Sequence, residues 1–141
     1  MRGMQDAESP LDCLYREGSY RTPANGNRSI VDRLLGWMDL YFYLGLFGVV
    51  LWGRHKARRN EYTMDVWRTQ SERILRLVER CGGRVHIEGY DHIKQLSTPY
   101  VLAANHMSLL ETFLMPGILL RAGPVLTTVV KDSLLHYPVF G

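Results

Sequence analysis

Apolar residues recur along this chain in four patterns, and each predicts a different element. From Leu34 to Trp52 they are nearly continuous (LLGWMDLYFYLGLFGVVLW), broken by Asp39. As a helix these 19 residues extend about 28 Å at 1.5 Å per residue, close to the roughly 30 Å hydrocarbon core of a bilayer. The uninterrupted part, Leu40 to Trp52, has 13 residues, a length shared by re-entrant, interfacial and buried core helices. A spanning helix, a monotopic or re-entrant segment and a soluble core helix all stay open. Trp37, Tyr41, Tyr43 and Trp52 are the amphipathic aromatics that favour headgroup depth. Gly45 and Gly48 permit close helix approach without the Gly-x-x-x-Gly spacing of transmembrane dimers.

The second pattern has a helical period. Between Glu61 and Cys81, Trp67, Ile74, Val78 and Cys81 recur at helical intervals, with Arg68, Glu72, Arg76 and Glu79 on other faces. Gly82-Gly83 predicts its end. Such a helix packs on its own domain or forms the second arm of a hairpin lying on a bilayer. The third pattern is alternation, in Arg84-Val85-His86-Ile87-Glu88, which predicts a half-exposed strand. The fourth is the short continuous run. Tyr100 to Ala104 and the β-branched Val125 to Val130 predict strands of a sheet covered on both faces.

Between these runs, Gly89 to Thr98 is a polar connection before Pro99. Ser108 to Arg121 is a helix that Pro116-Gly117 should kink or break. Gly123-Pro124 is a turn, and Lys131 to Gly141 begins a further helix or loop. The order predicts an α/β fold, a mainly parallel sheet with packed helices, preceded by an N-terminal apolar membrane helix or hairpin. Met1 to Ser29 is polar, has no early apolar run of the signal-peptide kind, and reads as a disordered tail. The expected organisation is therefore a tail (1–29), a membrane-associated helix with a basic run (30–59), and an α/β part (60–141).

Length and composition bound this picture. A chain of 141 residues with 46% hydrophobic residues is one domain with enough apolar content for a core. The net charge is +3, and part of it is concentrated in Arg54, Lys56, Arg58 and Arg59, directly after the longest apolar run. Such a run suits anionic headgroups on the cytoplasmic side of a membrane. The two cysteines, Cys13 and Cys81, give neither a disulfide framework nor zinc-ligand spacing, so a reducing environment is the default. No Cys/His cluster suggests a metal.

Chemistry concentrates in Asn105-His106-Met107-Ser108-Leu109-Leu110-Glu111. A histidine and a carboxylate five positions apart at a strand exit are the minimum for activating a hydroxyl. On one regular helix they would stand about 140° apart, so the histidine must come from a preceding loop. Ser108 and Glu111 also form Ser-x-x-Glu, a capping box that satisfies orphan N–H groups and needs no chemical role. The two readings are compatible, because a helix beginning at Ser108 leaves His106 in the turn before it. Lys131, at the end of an expected strand, is a candidate phosphate contact or a solvated lysine. His86 and His92 read as surface histidines, His55 belongs to the basic run, and His136 has only Asp132 at helical spacing.

Asn-His-x-Ser-x-x-Glu resembles the first signature of the glycerolipid acyltransferases, typified by 1-acyl-sn-glycerol-3-phosphate acyltransferase. Lys131-Asp132-Ser133-Leu134, followed by Pro138-Val139-Phe140-Gly141, is similar to that family's second block. The resemblance runs from about Trp67 to Gly141 and implies an incomplete acyltransferase-type α/β domain. It implies His106 as general base, Glu111 as its carboxylate partner, Asn105 and Ser108 as supporting residues, and Lys131 at the acceptor's phosphate. It implies transfer of a fatty acyl group from acyl-coenzyme A or acyl-carrier protein to lysophosphatidic acid or a related lysophospholipid. No cofactor or nucleic acid is implied, and the partners are membrane lipids and the thioester donor. The chain departs from the family in carrying Glu111 where Asp is usual, and in lacking the later block around Phe-Pro-Glu-Gly-Thr-Arg, so the expectation is the N-terminal part of a longer enzyme. A non-catalytic membrane-binding fragment and a thioesterase-like hydrolase using the same pair on water are the alternatives.

Overall fold

Helices dominate the observed architecture. The structure, a computed structural model, describes residues 8–24, 29–35, 40–96, 99–105, 107–120 and 125–129. The elements are α1 (Pro10–Glu17), β1 (Tyr20–Arg21), α2 (Ile30–Leu35), α3 (Leu40–Arg58), α4 (Met64–Arg80), β2 (His86–Ile87), α5 (Tyr90–Lys94) and α6 (Leu109–Leu119). Strands β1 and β2 pair antiparallel, Tyr20 opposite Ile87 and Arg21 opposite His86.

Local sequence explains the helix ends. Pro10 starts α1 with φ already set and no N–H to waste. Gly18 ends it in the left-handed region at φ 73°, its N–H donating to Leu14 O at 2.8 Å. Thr63 caps α4 by accepting from Val66 N–H at 3.4 Å. At the other end of α4, the N–H of Gly83 returns to Val78 O at 2.9 Å, so the Gly-Gly stop works as expected.

Helix α4 is the central element. On one side it carries α6 and α1, and on another it carries α3. Leu11, Leu14 and Tyr15 of α1, Tyr20 of β1, Leu75 of α4 and Tyr90 of α5 form the buried core. The rings of Tyr15 and Tyr90 lie tilted, 5.5 Å between centroids. Pro116 and Gly117 do not break α6. Pro116 is fully buried within the helix, and Gly117 is pressed against Ser71, where a Cβ would stand 2.5 Å from the Ser71 Cβ and 2.9 Å from Leu11 Cδ1. The Gly117 N–H donates to Ser71 Oγ at 3.0 Å, and the Tyr15 hydroxyl donates to Gly117 O. On the other side Gly45 of α3 meets Leu77, and Gln70 Nε2 donates to Val49 O at 3.1 Å. Tyr20 donates its phenol proton to Glu79 at 2.5 Å, and burial followed by this carboxylate pushes its pKa upward.

The expected mainly parallel α/β sheet is not found. Residues 100–104 and 125–129 form no strand, and Val101, Val125 and Val129 stand exposed. A strand buried on both faces needs a neighbour for its ladder and helices above and below. Among the described residues the sheet is two short strands, and the helices that could cover a larger one pack on each other. The expected apolar membrane helix or hairpin is corrected too. Among the described residues no helix is long and apolar enough to cross a membrane. The apolar run contributes α3, whose one side packs on α4, while Leu40, Tyr43, Leu44, Phe47 and Leu51 are exposed on another. Ile30, Val31 and Leu34 of α2 are exposed as well.

The polar N-terminal stretch differs from a tail over residues 10–21, which supply α1 and β1 to the core. The reason lies in Leu11, Leu14 and Tyr15, spaced to share one helix face. Leu14→Ala is expected to lower the unfolding free energy by about 2–5 kcal/mol, the range for a leucine truncated in a core, read as the shift in a urea unfolding curve. An unchanged curve would return this stretch to the status of a dispensable tail.

Candidate active site

Ser108 stands at the N-cap of α6 in extended backbone (φ −151°, ψ 160°), and its hydroxyl makes no capping hydrogen bond. Glu111 does the capping from the first turn. Both of its carboxylate oxygens accept the Met107 N–H, Oε2 at 2.9 Å and Oε1 at 3.2 Å. This is the acidic half of a capping box shifted by one residue, since the N–H it takes belongs to the residue before the cap. A carboxylate in the first turn is also favoured by the positive end of the helix dipole. The arrangement fixes the acid against the turn that follows position 106.

His106 and Lys131 lie outside the described residues, as do Asp132 to Gly141. Asn105 and Ser108 are exposed, and Glu111 is half-buried. The helix starts where Ser-x-x-Glu places it, but the reciprocal cap is not formed: Ser108 caps nothing, Glu111 takes the Met107 N–H, and the strand expected to deliver Asn105 is a loop. Among the described residues no group of three or more His, Cys, Asp or Glu could hold a metal ion. Cys13 and Cys81 form no disulfide. Burial, and then the neighbouring Glu17, raises the Cys13 thiol pKa.

The chain matches no family model, no curated protein and no solved structure.

The basic run is not uniform. Lys56 pairs with Glu61 at 2.6 Å. Arg54 is half-buried, and its Nε is shielded without a hydrogen-bond partner among the described residues. Arg58 and Arg59 are exposed at the end of α3. His86 pairs with Glu88 at 2.6 Å and touches Arg21, a surface arrangement.

A second feature has no counterpart in the sequence expectations. Between α3 and α4 lies a groove of about 560 Å³, with Leu44, Val49 and Leu77 among its apolar lining and Arg73, Arg76 and Arg80 from α4. The signal was present as arginines at i, i+3 and i+7, but a charged row on an amphipathic helix ordinarily means a solvated face.

The two cap residues give separable outcomes. Ser108→Ala is expected to change stability by less than about 0.5 kcal/mol, since its hydroxyl caps nothing. Glu111→Ala is expected to cost about 1 kcal/mol, in the range of a lost helix cap. Thermal unfolding of the two variants by circular dichroism distinguishes them, and equal losses would contradict the shifted cap.

Proposed function

We propose that the chain carries the base–acid pair of a membrane-associated O-acyltransferase. In this reading His106 takes the proton of an acceptor hydroxyl as that oxygen attacks the thioester carbonyl of acyl-coenzyme A or acyl-carrier protein. The carbon–sulfur bond breaks, an ester forms, and the proton passes to the thiolate leaving group. Glu111 orients the imidazole and stabilises its charged form. The acceptor is lysophosphatidic acid or a related lysophospholipid, with Lys131 near its phosphate.

The observation that carries the reading is the position of Glu111. Its carboxylate is tied back to the Met107 N–H, beside the residue that the motif requires as base. The ordered second stretch, Lys131 to Gly141, supports it from sequence. The exposed apolar residues of α3, followed by Arg58 and Arg59, support contact with a lipid surface without crossing it. Such contact brings the site to an acceptor that resides in that surface.

Thiol release from acyl-coenzyme A, by membranes expressing the intact reading frame, tests the chemistry. Release should require lysophosphatidic acid, and His106→Ala should lower it by about 10²–10⁴-fold, the usual share of general-base catalysis. Undiminished transfer by His106→Ala would refute the proposal, and thiol release without acceptor would make the chemistry hydrolysis. The lipid contact is tested by vesicle flotation. Phe47→Glu with Leu51→Glu, both at exposed positions, should abolish flotation with anionic vesicles, and equal flotation of variant and parent would remove α3 from the contact.

A further inference from the structure

We propose that the groove between α3 and α4 is a binding site for an anionic single-chain amphiphile, with its phosphate or carboxylate head on Arg73, Arg76 and Arg80 and its chain along α3. The inference goes beyond the acyl-transfer reading, because the groove lies away from α6. At 100° per residue the three arginines fall within an arc of about 60° opposite Ser71, and Ser71 is where α6 packs.

An arginine row alone would be a solvated helix face. Three observations distinguish this one. Its floor is apolar, formed by Leu44, Gly45, Val49 and Leu77, and its volume of about 560 Å³ lies within the roughly 300–1,000 Å³ of small-molecule sites. Arg73 is held in place, its guanidinium 4.0 Å from the centre of the Trp52 ring. The charge is incompletely balanced: Glu72 pairs with Arg76 at 2.8 Å, and among the described residues no carboxylate is paired with Arg73 or Arg80.

The occupant follows from this chemistry. Guanidinium groups bind phosphate and carboxylate through paired N–H donors, so the head is an anion. The stretch of α3 from Tyr41 to Val49 runs about 12 Å, enough to lie beneath one extended hydrocarbon chain. Leu77 packs directly on the bare backbone of Gly45, where a Cβ would stand 2.6 Å from Leu77 Cδ1, so the two helices come together under an apolar floor. Leu44 belongs both to the groove lining and to the exposed apolar surface of α3, so the chain can enter from a lipid surface.

Trp52 supplies the readout. In the full chain with Trp37 and Trp67 replaced by Phe, dodecyl phosphate below its micelle concentration should saturate a change in Trp52 fluorescence. Dodecanol should bind at least about tenfold more weakly, and inorganic phosphate should give no change. R80Q should weaken dodecyl phosphate binding about tenfold, the size of one lost charged hydrogen bond, and the triple variant R73Q/R76Q/R80Q should abolish it. V49F, which fills the floor, should weaken binding as well, with unfolding midpoints showing which variants remain folded. If the triple variant unfolds, R80Q decides. Equal affinity for dodecanol and dodecyl phosphate, or wild-type binding by folded R80Q, would overturn the proposal. So would binding of anionic vesicles with none of monomeric dodecyl phosphate, which would make the row a surface patch. Since no thioester enters the assay, its outcome is separate from that of acyl transfer.

Discussion

The fold depends on how closely α6 can approach α4 and α1. At the contact, Gly117 presents bare backbone to Ser71 and Leu11, and both of its polar groups find partners across the interface, the N–H on Ser71 and the carbonyl on Tyr15. Any side chain at this position would separate the helices and leave a buried donor and acceptor unpaired, a cost of about 1–3 kcal/mol for each such group. Pro116 withholds its N–H from the α6 ladder, and the buried space that it fills beside the notch offsets that loss.

That contact also determines what remains outside. With α4 shared between α6 and α1 on one side and α3 on another, the long helices pack on each other rather than on a sheet. The apolar runs 100–104 and 125–129 are then left without a ladder. The outer positions of α3 stay exposed, since α4 packs on its Gly45 side.

The sequence made some of this legible and concealed the rest for physical reasons. Helix α4 was readable from period and from the Gly-Gly stop, and its observed limits, Met64–Arg80, lie within the expected 61–81. Strand β2 was readable from alternation. The start of α6 was readable from Ser-x-x-Glu, although periodicity could not say which N–H Glu111 would take. A run of five apolar residues is compatible with a strand only when a neighbour exists, and that is a tertiary fact. Pro116-Gly117 signals a break by local rules, yet buried packing overrode them. Leu11, Leu14 and Tyr15 were visible as residues, but the polar setting around them outweighed a helix of only eight residues.

The Tyr15–Gly117 hydrogen bond joins residues 102 positions apart, and that separation has a consequence for biosynthesis. Loops this long close late, because the entropy of closure is spent before the contact returns anything. While the chain is being made from its N-terminus, α1 has no partner in α6 until residue 117 has emerged. For the later part of that interval the apolar side of α3 has already emerged, and it stays uncovered in the folded chain as well. The order of translation thus presents a sticky helix to chaperones or lipid before the core that anchors it can close.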